Sequence, residues 1–343
     1  MSDPAVITPV LEVRELEVEF ATYGGVVKAV RGVSYAVERG RTLAVVGESG
    51  CGKSVTVQAI MGLIDMPPGR ITGGSARLLG RELIGLSARE INRVRGAAIG
   101  MIFQDPMTSL NPTMKIGSQI AETLIAHRGM SRRAALAQAV QLLDRTRIPE
   151  AHKRASQYPF ELSGGMLQRV MIAISLACKP ALLIADEPST ALDVTIQNQV
   201  LELMREIQRE EGMAIVLITH DLGVVARMAD EVAVMYAGRI VESGSVEDIF
   251  YRSAHPYTLG LRRAMPGPAR THQKLVAIAG SPPDLFAVPP GCAYAPRCPQ
   301  AMTICAVHDP ATSTLAAQHR TCCWLHHPQA PARDTPPPTP GAG

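Results

Sequence analysis

The octapeptide Gly47-Glu48-Ser49-Gly50-Cys51-Gly52-Lys53-Ser54 restricts what this chain can become more than any other stretch. It follows Thr42-Leu43-Ala44-Val45-Val46, a short apolar run rich in β-branched residues, which is the pattern of a parallel strand buried on both faces. Glycines at this spacing let backbone N–H groups curl around a bound phosphate, and the start of the next helix adds the positive end of its dipole. Lys53 is then placed to neutralise β- and γ-phosphate charge, and the Ser54 hydroxyl to ligate Mg²⁺. Gly47, Ser49, Gly50, Cys51, Gly52, Lys53, Ser54 and Val55 are the nucleotide-contact candidates. A chance Gly-rich turn is the plainer alternative, and the strand–loop–helix context argues against it.

The rest of the chain suits an α/β core. Buried runs recur at Ala181–Ala185, Ala214–Ile218 and Glu231–Tyr236, separated by stretches with helical periodicity such as Arg132–Arg147 and Leu192–Glu211. Residues 114–180 read as mostly helical, and the first strands as Val10–Val13 and Leu16–Phe20, followed by a Gly24-Gly25 turn. Of the 343 residues 46% are hydrophobic and 19% charged, enough to bury a full core. A net charge of +3 with no basic stripe gives no reason to expect nucleic acid. No apolar run reaches the ~18 residues of a membrane span. Met1-Ser2-Asp3-Pro4 does not open a secretory signal, so a soluble, cytosolic chain is expected.

Leu182-Leu183-Ile184-Ala185-Asp186-Glu187 is an apolar strand ending in two carboxylates. Asp186 would hold Mg²⁺, and Glu187, pointing elsewhere, would orient and polarise the attacking water. Leu162-Ser163-Gly164-Gly165-Met166-Leu167-Gln168-Arg169 supplies a second helix start with a hydroxyl and free Gly amides, its Ser163 lying 110 residues after Lys53. This stretch resembles the signature motif of ABC ATPases. Phe103-Gln104-Asp105-Pro106, Ser189-Thr190-Ala191-Leu192-Asp193 and Thr219-His220-Asp221 are similar to the same family's Q-loop, D-loop and switch histidine.

The resemblance implies a RecA-like parallel sheet with an antiparallel β subdomain and a helical subdomain. It implies ATP sandwiched across a dimer: Ser163, Gly164 and Gly165 would face the γ-phosphate on the other subunit, and Asp193 would reach the partner site. Gln104 would touch Mg²⁺ and the water and sense membrane subunits, and His220 would contact the γ-phosphate. An aromatic platform for adenine is expected upstream of the phosphate loop, with Tyr23 the first choice and Phe20 the second.

The stretch Met101–Pro112, Met166 in the signature, His255-Pro256-Tyr257-Thr258 and Gly291–Pro299 resemble the peptide/nickel importer ATPases, the D-type subunits of dipeptide and oligopeptide permeases. Leu167 departs from that group, which often has Arg there. Residues 10–254 are expected to form the nucleotide-binding domain, its helical subdomain at about 105–180. Residues 255–327 would be a small Cys-rich C-terminal extension, and 328–343 a Pro-rich disordered tail. Five of seven cysteines crowd into the last 52 residues, a pattern that in a reducing cytosol reads as metal-binding before disulfides. Cys292, Cys298 and Cys305 are separated by five and six residues, and Cys323 follows after seventeen more. This is not a zinc-ribbon spacing, and an irregular loop of four thiolates suits a [4Fe–4S] cluster, with Zn²⁺ or plain thiols as alternatives. By resemblance, the pair His319-Arg320 selects Cys323 over Cys322.

The function expected is an ATP-hydrolysing importer motor for dipeptides or oligopeptides, peripheral on the cytoplasmic face of the membrane. Nickel chelates or glutathione-like peptides are the alternative cargo, and a soluble non-transport ABC ATPase is the lesser reading. The partners implied are a second, F-type ATPase, two transmembrane permeases and an extracytoplasmic peptide-binding protein.

Overall fold

The computed structural model describes residues 8–188, 193–264 and 277–330. Twelve strands are described: β1 Leu11–Thr22, β2 Gly25–Val37, β3 Thr42–Val46, β4 Gly69–Leu78, β5 Arg81–Glu82, β6 Ile99–Ile102, β7 Leu182–Asp186, β8 Ala214–Thr219, β9 Glu231–Tyr236, β10 Arg239–Ser245, β11 Ser313–Thr314 and β12 Arg320–Thr321. They form an antiparallel sheet in the order β2-β1-β4-β5 and an eight-stranded sheet in the order β11-β12-β10-β9-β3-β8-β7-β6.

The larger sheet is parallel from β9 through β3, β8 and β7 to β6. Every residue of β3, β7 and β8 is buried, which is why these strands read as continuous apolar runs without alternation. The pairings Val46↔Thr219, Asp186↔Ile218 and Ile102↔Ala185 bring neighbouring strand ends to one edge of the sheet. The segments leaving these strands therefore gather there: the Gly-rich loop after β3, His220 after β8, Glu187 after β7 and Gln104 after β6.

Three predicted elements differ in extent. The first two predicted strands are one, β1, whose register shifts near Arg14 and Glu15, and Glu15 has a positive φ of 45°. Residues 114–180 hold four α-helices, Ile116–Arg128, Arg132–Arg145, Ala151–Arg154 and Gly164–Leu176, broken by capped turns. The C-terminal stretch does not stand apart as a separate layer. β12 pairs with β10 through Glu242↔Thr321 and Ser243↔Arg320, so the extension continues the main sheet. The predicted tail lies outside the described residues from 331 onward.

One buried carboxylate ties the extension down. The side chain of Glu242 has no exposed surface and sits opposite His319 Nε2 at 2.8 Å. It also accepts from the backbone N–H of Ala254 at 2.7 Å and of His255 at 2.9 Å. Its neighbour His255 is pushed down to about 3 by burial, then by the nearby His326, so it stays neutral and contributes no charge to offset Glu242. Glu242→Ala strands three buried donors and should cost about 3–5 kcal/mol. Chemical denaturation of the full chain checks this, and a cost near zero would mean that the donors find other partners.

Candidate functional site

The Gly-rich loop closes tightly against its surroundings. A Cβ on Gly47 would lie 2.2 Å from the Met235 carbonyl oxygen, and one on Gly52 2.3 Å from that of Ala29. Gly52 also has φ 101° and immediately precedes the helix Lys53–Ile60. These two positions need glycine for space, and Gly52 for conformation as well. Lys53 is buried, and its Nζ donates to the carbonyl oxygens of Gly47 at 2.8 Å and Glu48 at 2.9 Å. Cys51 is buried with its Sγ 3.8 Å from that amine, and burial pushes its thiol pKa up. Ser49 and Gly50 are exposed on the loop, and Val55 packs against the core under the antiparallel sheet.

The Ser54 hydroxyl donates to Asp186 Oδ1 at 3.1 Å, joining the two expected Mg²⁺ ligands directly. Asp186 is 7% exposed, and burial raises its carboxyl pKa. Glu187 faces another way. Strand alternation alone does not achieve this: β7 ends at Asp186, and Glu187 takes a left-handed φ of 47°, a strained conformation for this residue. That turn lets Glu187 Oε2 accept from Gln104 Nε2 at 3.0 Å while Oε1 lies 3.1 Å from His220 Nδ1. The structure thus brings together Lys53, Ser54, Asp186, Glu187, Gln104 and His220.

Other candidates stand apart from this group. Ser163 caps the helix Gly164–Leu176, its hydroxyl accepting from Met166 N at 3.4 Å, and Ser163 and Gly164 are exposed. A Cβ on Gly164 would meet nothing, whereas one on Gly165 would press Ile196 at 3.0 Å. Asp193 caps the helix Val194–Glu211 by accepting from Thr195 N at 3.0 Å and Ile196 N at 2.9 Å, so its carboxylate is engaged within its own chain. Ser189–Leu192 of the D-loop lie outside the described residues. Tyr23 is fully exposed at the β1–β2 hairpin tip, free to stack. Phe20 packs against the core, a Cβ on Gly69 coming within 3.2 Å of its ring.

The expected metal site on Cys292, Cys298, Cys305 and Cys323 is not preassembled. Among the described residues, no three His, Cys, Asp or Glu side chains stand close enough together to hold a metal ion. All seven cysteines are free thiols. The four nonetheless line one small cavity with His255, Tyr294 and Trp324. Burial pushes Cys292 up to about 11 and Cys323 up to about 12, and raises Cys298. Cys322 points elsewhere, 3.3 Å from the Thr312 hydroxyl and 3.5 Å from the Ile240 carbonyl.

Sequence reasoning gave no role to Tyr257 and Arg297, which contact the Gly-rich loop. Both lie within stretches singled out for resemblance, His255–Thr258 and Gly291–Pro299, but neither type forms a motif on its own.

A phosphate-type loop on a parallel strand, with a Ser–Asp pair and an adjacent glutamate, defines a P-loop nucleoside triphosphatase. The ABC transporter family model matches residues 30–190, and that of the oligopeptide/dipeptide transporter C-terminal region matches 241–305. The oligopeptide transport ATP-binding protein OppD of Bacillus subtilis is 54% identical over 331 residues, covering 96% of this chain and 92% of the relative. The dipeptide transport ATP-binding protein DppD of the same organism is 51% identical, covering 94% and 96%. A dimeric bacterial ABC transporter cassette of known structure superimposes with a TM-score of 0.62 at 26% identity, covering 69% of this chain and 98% of that one. The chain belongs to the ATP-binding proteins of ABC transporters, in the branch that carries the oligopeptide/dipeptide transporter C-terminal region.

Burial of Asp186 also has a consequence for stability. Its folded-state pKa lies above the unfolded value, so the proton is bound more tightly when folded. The penalty for holding the ionised group is absent below the unfolded pKa and is fully present above the folded one. At neutral pH, Asp186→Asn should therefore raise the melting temperature of the nucleotide-free protein while weakening Mg²⁺-dependent nucleotide binding. Thermal scans at pH 7 without Mg²⁺ test the sign, and a lower melting temperature contradicts it.

Proposed function

We propose that this chain is one ATP-hydrolysing subunit of an importer for dipeptides or oligopeptides, peripheral at the cytoplasmic face of the membrane. The observation that carries the chemistry is the joint contact of Glu187 with Gln104 and His220 beside the Ser54–Asp186 pair. Lys53 releases the loop carbonyls to hold β- and γ-phosphate, and Ser54, Asp186 and Gln104 are the residues that would hold Mg²⁺. The ion neutralises phosphate charge when bound. Glu187 accepts a proton from the attacking water, and His220 orients it towards the γ-phosphate. Tyr23 stacks on adenine, and Gly47, Ser49, Gly50, Cys51, Gly52, Lys53, Ser54 and Val55 line the phosphates. The exposed Ser163 and Gly164, with Gly165 behind them, serve a nucleotide on a second subunit, which Asp193 also approaches. We propose residues 10–254 as the motor domain and 255–327 as the extension.

The peptide cargo rests on the names of the relatives and on the matched C-terminal region. The partners proposed are two permeases, a peptide-binding protein and a distinct F-type ATPase. No helix among the described residues is long and apolar enough to cross a membrane. Glu187→Gln should leave ATP binding intact and lower turnover about 10²- to 10³-fold, the share of a general base. Phosphate release by the assembled transporter measures it, and unchanged turnover would remove Glu187 from the role.

We further propose that Cys292, Cys298, Cys305 and Cys323 hold a [4Fe–4S] cluster. Support comes from the cavity that these four share and that Cys322 does not line. The donor set is all-thiolate, as such clusters require, and a bound cluster would tie the helix Thr303–Val307, which carries Cys305, to the segments around Cys292, Cys298 and Cys323. Protein purified without oxygen should contain iron and acid-labile sulfide in equal amounts, lost in Cys323→Ser and kept in Cys322→Ser. Stoichiometric zinc without sulfide would refute this assignment.

A further inference from the structure

Glu48 occupies the first variable position of the phosphate loop, and the C-terminal extension grips it twice. Arg297 Nη1 donates to Glu48 Oε2 at 2.6 Å and Nη2 donates to Oε1 at 2.9 Å, a two-pronged pairing of guanidinium and carboxylate. The Arg297 side chain is only 5% exposed and that of Glu48 27%, so solvent weakens the pair less than it would on an open surface. The second grip is on the backbone. The Glu48 N–H donates to the Tyr257 hydroxyl at 2.9 Å, and Tyr257 is fully buried.

The gripping residues are themselves fixed. Arg297 Nε donates to the Ala279 carbonyl at 2.9 Å and Nη1 to the Tyr236 hydroxyl at 3.2 Å. Its guanidinium carbon lies 5.8 Å from the Tyr236 ring centroid and 5.9 Å from that of Tyr294. The three tyrosine rings Tyr236, Tyr257 and Tyr294 pack pairwise with centroids 4.5–5.4 Å apart. On the loop side, the Glu48 carbonyl is one of the two oxygens that hold Lys53 Nζ. A displacement of Glu48 therefore moves the amine that meets the phosphates. On the extension side, Arg297 adjoins Cys298, and Tyr294 lines the cysteine cavity.

We propose that Arg297 and Tyr257 are positioning residues for the phosphate loop, and that the C-terminal extension sets nucleotide affinity through Glu48. The proposal rests on the loop being the ATP site. It adds a regulatory input from a segment that contributes no residue to the phosphate-binding motifs. Removing the clamp frees the loop to sample conformations that do not bind, so affinity falls while chemistry at saturation is little changed.

Equilibrium binding of trinitrophenyl-ATP with Mg²⁺ to the full-length chain tests this. Arg297→Gln and Glu48→Gln should each weaken binding about tenfold, the worth of one charge-assisted hydrogen bond. Arg297→Lys, which keeps the charge without the fork, should fall in between. The double variant should bind no more weakly than the worse single one, because both remove the same interaction. In the assembled transporter, KM for ATP should rise while kcat stays within about twofold of the parent, a split that general destabilisation would not produce. Parental affinity in both single variants, or strictly additive losses in the double, would overturn the proposal. Should Arg297→Gln fail to fold, Glu48→Gln and Tyr257→Phe carry the test, and parental affinity in both overturns it. A Lys53→Ala chain that binds as tightly as the parent contradicts the ATP-site reading instead, and so is told apart from failure of the clamp.

Discussion

Four parallel strands lie side by side with their C-terminal ends at one edge, and the phosphate loop, Asp186, Glu187, Gln104 and His220 are gathered at that edge. β3, β8, β7 and β6 are neighbours in that order, and each hands over to a functional residue within two positions of its end. The loop after β3 has no freedom to sit elsewhere. Its first glycine rests against the Met235 carbonyl and its last against that of Ala29, each too close for any side chain. Strand burial thus fixes not only the core but the positions of Lys53, Asp186, Glu187 and His220 relative to one another.

The charges at this edge stand in a waiting arrangement. Lys53 turns back onto two carbonyls of its own loop, and Asp186 leans on the Ser54 hydroxyl with its carboxylate disfavoured by burial. Among the described residues neither group is in a salt bridge, and in the function proposed above Mg²⁺ with a triphosphate would supply both signs at once. Glu187 is held between Gln104 and His220 by a strained backbone turn, which sets its carboxylate apart from the Asp186 side. Strain at such a point is tolerated because the strand behind it is fully buried.

Much of this was legible in the sequence, for reasons that differ from residue to residue. Buried parallel strands announce themselves as unbroken apolar runs, so β3, β7, β8 and β9 were located within a residue or so. The phosphate loop and the acid pair were readable because their chemistry demands fixed spacing. Short elements left no pattern: β6 is four residues with a glycine inside, and β11 and β12 are two residues each, too brief for any periodicity. The pairing of Arg297 with Glu48 spans 249 residues and joins two common residue types, so only the folded chain reveals it. The redirected Glu187 was expected from strand alternation, whereas a left-handed turn brings it about. The four cysteines are readable from spacing and resemblance, and what spacing could not show is that they line one cavity.

Ser163 and Gly164 form an exposed helix start, which the function proposed above gives to a nucleotide on another subunit. If that surface completes a nucleotide site on another subunit, activity belongs to a pair and not to a single chain. The most direct measurement is ATP turnover per chain on serial dilution, repeated at a fixed low concentration while the proposed second ATPase subunit is titrated in. Turnover should fall away on dilution and be restored as the partner is added. Turnover per chain that is constant across the dilution series and indifferent to the partner would contradict it.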